Sequence, residues 1–315
     1  MLWFVYAVLA AVCFGLRGIL YQWTSQRPIN RSLMLLGVYT SGCLVALAAN
    51  LVVGQQWTAG ALVGILMGIF SFISNASMYK GYAVGKASLV ALMTALPPVI
   101  VVMGAYVIWG EALNVWQLGS FAIIMIGLLM IRYSQELKWT ELGGIQWGLL
   151  ALLFFSLTDL SVKLATLLMG ETLPTLALMY ATGSLLFGCS WCSEQLRGRM
   201  RAKRVQEQEL SSDPAQQPAL ARTTAETAAS KAAYWGTGRV LGWGMIVGLS
   251  NIGGMLLIMP AFRDGITGLV SAISAMNVVL VLIYARFYLK ETMKRRELAG
   301  LVCALAGIVL LRLAA

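Results

Sequence analysis

Apolar residues run along this chain in ten blocks of about 20, the length a helix needs to cross the hydrocarbon core of a bilayer. The blocks fall at 2–22, 32–53, 59–80, 87–108, 115–132, 144–168, 173–190, 239–262, 267–288 and 297–313. Short polar connections join them, except at 191–238, where Arg, Gln, Glu, Ala, Ser and Thr take over and Pro214 and Pro218 interrupt. Within that stretch Arg197–Leu210 suits a charged helix, and the rest reads as a disordered connector. The first block has no basic segment ahead of it and no convincing cleavage site, so it is expected to stay as a helix.

Composition narrows the chemistry. Apolar types supply 59% of the 315 residues against 11% charged, and mean hydropathy is +0.78, far from the values of soluble domains. The expected fold class is therefore all-α integral membrane. There is no histidine, which removes His-based triads and bases, haem ligation and most zinc sites. The cysteines Cys13, Cys43, Cys189, Cys192 and Cys303 lie apart from any His or carboxylate cluster, and Cys189-Ser-Trp-Cys192 lacks the second pair that zinc needs. No metal, cofactor or enzymatic activity is expected.

The net charge of +10 suggests nucleic acid only until the charges are placed. One set of connections carries Arg27, Arg31, Lys80, Lys86, Arg132, Lys138, Lys290, Lys294, Arg295, Arg296 and seven basic residues between 191 and 238; the other set carries Arg263 and Arg312. Such a bias marks the basic side as cytoplasmic and puts both termini outside, as in a bacterial inner (plasma) membrane protein. Nucleic acid drops out as a partner, leaving the lipid bilayer and a small molecule. Oligomeric state is not legible.

Shifting the chain by 180 residues aligns 59–132 with 239–312 without a gap and gives 13 identities, among them Gly64/Gly244, Gly68/Gly248, Ala95/Ala275, Glu111/Glu291, Gly127/Gly307 and Arg132/Arg312. Two halves of five blocks each follow, 1–132 and 133–315, the second interrupted by 191–238. Five is odd, so the halves start on opposite sides and are inverted with respect to each other, the arrangement of secondary transporters. Glu111 and Glu291 each precede the last block of their half, where a carboxylate complements a helix N-terminus.

The residues that recur also carry a resemblance. Ala95-Leu-Pro-Pro-Val-Ile-Val-Val, Gly110-Glu111, Trp116-Gln-Leu-Gly119 and Gly127-Leu-Leu return as Ser274-Ala-Met-Asn-Val-Val-Leu-Val, Lys290-Glu291, Leu298-Ala-Gly and Gly307-Ile-Val-Leu-Leu. The pattern resembles the EamA-type domain of the drug/metabolite transporter superfamily, in two copies. The resemblance implies ten helices, a central cavity between the halves, and transport of small metabolites. Asn277 stands where the first half has Pro97, and Lys290 where it has Gly110, which weakens the case for the two halves hinging alike.

Candidate residues follow from depth. Gly60, Gly64 and Gly68, with Gly244 and Gly248, form stripes that let helices approach closely in lipid. Pro97 and Pro98 lie near the midplane, where proline frees carbonyls that only protein or a wet cavity can satisfy, so a hinge lining a cavity is expected there. Asn277, Ser71 with Asn251, and Thr94 with Ser274 lie at comparable depth; Asn75 and Tyr79 share the helical face of Ser71. Arg17 lies roughly 8 Å inside at 1.5 Å per residue, either snorkelling to the interface or facing substrate. Asp159 and Lys163 are one turn apart, placed to neutralise each other or, for Asp159, to bind an ammonium or couple transport to protons. Arg286 reads as interfacial.

The expected substrate site is thus Arg17, Ser71, Asn75, Tyr79, Asp159, Asn251 and Asn277, with Asp159 and Lys163 for coupling. The intramembrane charges favour a zwitterion or anion slightly over an organic cation. The expected function is export of a small polar metabolite (amino acid, amine or sugar-like) by alternating access. The alternatives are translocation of a lipid-linked or phosphorylated metabolite, and a membrane scaffold acting through 191–238.

Overall fold

The structure is a computed structural model and describes residues 2–25, 27, 29–84, 87–132, 144–211, 235–288, 290 and 295–314. Every element among them is helical. In chain order these are α1 (Leu2–Ser25), α2 (Arg31–Val53), a 3-10 turn (Ala59–Leu62) leading into α3 (Val63–Val84), α4 (Ala87–Met93), α5 (Pro97–Trp109) and α6 (Val115–Arg132). The second half follows with α7 (Ile145–Leu167), α8 (Thr172–Ser211), α9 (Thr237–Asp264), α10 (Thr267–Ala275), α11 (Asn277–Phe287) and α12 (Arg295–Ala314). Eight helical stretches are long and apolar enough to cross a membrane, and Val115–Ile131 is a shorter apolar helix. Leu51, Val52, Val107 and Leu313 are each at least 80% exposed, a surface that suits lipid and not water. Glu291 and the stretch 212–234, read from sequence as a connector, lie outside the described residues.

The charged stretch from Arg197 is no separate element: α8 runs unbroken through it to Ser211. Blocks four and nine, in contrast, are each two helices. Pro97 and Pro98 open α5 without N–H groups, and the chain turns there through Leu96 N–H to the Met93 carbonyl at 3.2 Å and Val99 N–H to the Leu96 carbonyl at 3.0 Å. The second half has no proline at this point and breaks nonetheless: Met276 N–H donates to Ile273 O at 3.0 Å and Val279 N–H to Met276 O at 2.9 Å. These are the same two bonds displaced by 180 residues. Asn277 in place of Pro97 thus leaves the two breaks alike in their backbone bonds. Its amide donates to Ser274 O at 3.0 Å and Ser274 Oγ to Ser271 O at 2.9 Å, polar side chains taking up carbonyls that the interrupted ladder leaves.

Contacts between helices recur under two shifts, 180 for the last three blocks of each half and 141 for the first two. A Cβ at Gly68 would sit 2.6 Å from the Met179 carbonyl of α8, and one at Gly248 would sit 2.6 Å from the Val38 carbonyl of α2. Gly64 lies equally close to Thr175 O and Gly244 to Met34 O. Gly42 abuts the Tyr180 ring and Gly183 the Tyr39 ring, and α6 packs along α12. Each helix thus meets the equivalent partner in the other half, which is the two-repeat plan.

Both ends of the bundle are tied. At the basic end Asn30 Nδ2 and Ser32 Oγ donate to Glu194 at 3.0 and 2.6 Å, Trp243 donates to Thr24, and Arg27 covers Trp23 at 4.3 Å. At the opposite end Leu173 N–H donates to Gln55, Thr58 to Met169 O, and Arg263 to Gly170 O.

Candidate functional site

A cavity of about 240 Å³ opens among the helices at the level of both breaks. Its wall takes Phe14, Arg17 and Tyr21 from α1, Tyr39 from α2, and Ser71, Asn75 and Met78 from α3. Thr94, Pro97 and Pro98 come from the first break, Phe155, Thr158 and Asp159 from α7, Asn251 and Met255 from α9, and Ser271, Ser274 and Asn277 from the second break. Polar groups from both halves therefore converge on one space.

Arg17 does not snorkel away. Its Nη1 donates to Asn251 Oδ1 at 2.5 Å, and the same amide donates through Nδ2 to the Tyr180 hydroxyl at 3.0 Å, so the Asn251 orientation is fixed from two sides. The Tyr39 ring meets that of Tyr180 with centroids 5.6 Å apart, Tyr39 and Ser71 share a hydroxyl hydrogen bond, and Asn75 Nδ2 donates to Ser71 O at 2.8 Å. Asp159 Oδ2 accepts from Ser271 Oγ at 2.5 Å.

The Asp159–Lys163 pair expected from helical spacing is not made. Lys163 Nζ instead lies 3.1 Å from Glu111 Oε1 and donates to the carbonyls of Phe262 and Gly265 at 3.0 and 3.2 Å. A lysine stem reaches a full turn, and here it reaches toward the end of the bundle where a helix terminus offers unpaired carbonyls. Glu111 does cap a helix N-terminus, as its position before α6 suggested, but of a different helix: Oε2 accepts from the backbone N–H of Thr267, the first residue of α10, at 2.8 Å. One buried ion pair thus ties α7, the connection after α5 and the α9–α10 turn, and with them both halves.

Of the expected site residues, Arg17, Ser71, Asn75, Pro97, Pro98, Asp159, Asn251 and Asn277 line the cavity. Tyr79 does not; its ring packs under Arg31 at 5.3 Å. Lys163 lies in the clamp just described.

The profile of the EamA-like transporter family matches residues 1–133 and 223–313. The chain belongs to the EamA-like transporter family. As an EamA-like transporter it is an integral membrane protein of the drug/metabolite superfamily, in agreement with the repeat and the apolar helices. No curated protein matches it. Among solved structures 29 chains match; one, titled only "Crystal structure of protein", superposes with a TM-score of 0.69 over 99% of this chain and 98% of its own at 13% identity. That likeness shows the fold alone.

In this EamA-like chain Tyr39, Tyr180, Thr158 and Ser271 were not singled out by sequence. The shift of 180 covers only three blocks per half, and Tyr39/Tyr180 pair only under the shift of 141. The difference of the two shifts, 39 residues, is extra chain between 194 and 239, which includes the extension of α8 to Ser211, and allowing for it would have found both tyrosines.

Proposed function

We propose that this chain is a secondary transporter that moves a small polar metabolite by alternating access, in the export direction. Two inverted five-helix repeats, 1–132 and 133–315, make ten crossings, with α6 and α12 completing the halves and 191–238 on the cytoplasmic side of a bacterial inner membrane. The observation that carries the reading is the cavity at the two helix breaks. Interrupted helices at matching places in the two halves, facing one polar space, are how transporter folds build a midplane site.

The cavity reaches toward the basic end through Tyr21, Asn75 and Met78, while the Lys163–Glu111 clamp spans the opposite end. Taken with the charge bias, this supports an inward-facing state that loads from the cytoplasm. With the five native cysteines replaced, Met78→Cys should react with a membrane-impermeant thiol reagent added at the basic face and not at the other. A reporter fused at Ala315 should report from outside; cytoplasmic activity there would reverse the topology. Counterflow in proteoliposomes tests the transport reading itself. Background levels across amino acids, amines, sugars and phosphorylated metabolites would sink it.

A further inference from the structure

Two charged side chains share the cavity wall, and neither is neutralised. Among the described residues Arg17 donates one hydrogen bond, to Asn251, and is otherwise flanked by the Phe14 and Tyr21 rings at 4.9 and 5.9 Å. Asp159 accepts one, from Ser271, through Oδ2. Neither has an ionic partner among the described residues, since Lys163 is committed to Glu111. An uncompensated charge within a membrane-spanning bundle is costly. Here a positive and a negative charge sit in the same wall without satisfying each other.

The two helix breaks beside them differ in what their backbones offer. Arg17 lies on α1, whose Gly15 and Gly18 abut Leu280 and Val281 of α11. That helix starts in the cavity wall at Asn277, with backbone N–H groups and the positive end of its dipole. Asp159 lies on α7 between the breaks: it accepts from Ser271 of the second, and one turn earlier Ser156 Oγ donates to Pro97 O of the first at 3.3 Å. There α5 starts with two prolines that have no N–H to offer. The second break thus offers backbone N–H groups where the first has prolines.

Resting on the transport reading of this same cavity, we infer that the substrate is a zwitterion with an apolar body. Its carboxylate is held by Arg17 and the start of α11, its ammonium by Asp159, and its body by Phe14, Phe155 and Met255. Each end supplies the counter-charge that the protein withholds from its own side chain.

The test uses three forms of the same bodies: neutral L-α-amino acids, their amides, which keep only the ammonium, and their N-acetyl derivatives, which keep only the carboxylate. Equilibrium binding to the purified full chain should favour the parent amino acids by roughly 30-fold or more over both derivatives, as expected when one partner of a buried charge pair is lost. Arg17→Gln should shift the preference to amides and Asp159→Asn to N-acetyl forms. Because the ranking is read within one variant, it does not depend on how much of that variant folds. The inference is overturned if wild type binds a singly charged form as well as the zwitterion, or if both variants rank the probes as wild type does. Counterflow separates the two levels of the argument. Transport of monocations, monoanions or polyols with zwitterions inert overturns the polarity and leaves transport standing, whereas no counterflow with any panel defeats both.

Discussion

Gly68→Val and Gly248→Val are each expected to leave little folded protein. At both positions an added Cβ meets a backbone carbonyl 2.6 Å away, Met179 O on α8 or Val38 O on α2, so no rotamer change relieves the clash and two helices must part. Overpacking in a well-filled core costs about 1–3 kcal/mol. Here the parted helices would also lose the dispersion contacts that drive association in lipid, so an effect at or above that range is expected. Gly119→Ala is the control, since nothing lies within 4 Å of that site on α6. Thermal unfolding and size-exclusion profiles in detergent should show Gly119→Ala unchanged and the two valine variants aggregated or strongly destabilised. Equal behaviour of all three would mean that these helix crossings are not as close as described.

Lys163→Met is expected to release the clamped end. The substitution leaves the Glu111 carboxylate and the Phe262 and Gly265 carbonyls without their cation, and removing one partner of a buried pair costs about 3–5 kcal/mol. Glu111 is 21% exposed in its side chain, which puts the loss toward the lower figure. About 3 kcal/mol is more than a hundredfold in a two-state population. A cysteine at Ala275, in the cavity wall, should then react with an impermeant reagent from the face opposite the basic loops, where the parent does not. Glu111→Gln combined with Lys163→Met removes both charges, and should recover much of the thermal stability without restoring closure. Unchanged labelling in Lys163→Met would show that the pair is packing and not a gate.

Much of this was legible in the amino-acid sequence because membrane helices obey one dominant constraint. Backbone groups must pair internally, so apolar blocks map onto helices with little freedom, and every block proved helical, blocks four and nine as two helices each. The internal repeat was equally visible, and it brought Ser71 with Asn251 and Thr94 with Ser274 to one cavity. What failed were inferences about where long side chains reach. Helical spacing put Lys163 beside Asp159, yet a flexible stem chose Glu111 and two carbonyls on other elements. Glu111 was rightly expected to serve a helix N-terminus, but the helix it caps is 156 positions away in sequence, and nothing local encodes that. The break at Asn277 was missed because proline is a recognised interrupter, whereas Asn and Ser side chains compete for carbonyls only where packing already strains the ladder.

The unbroken course of α8 has a mechanical consequence. Glu194 is tied to Asn30 and Ser32 at the edge of the bundle, and the helix continues to Ser211, about 25 Å further at 1.5 Å per residue. This overhang acts as a pointer: a tilt of about 10° inside the bundle, too small to follow directly, displaces the tip by about 4 Å. A fluorophore near residue 204, far from any cavity group, therefore offers an amplified readout of movement between the halves.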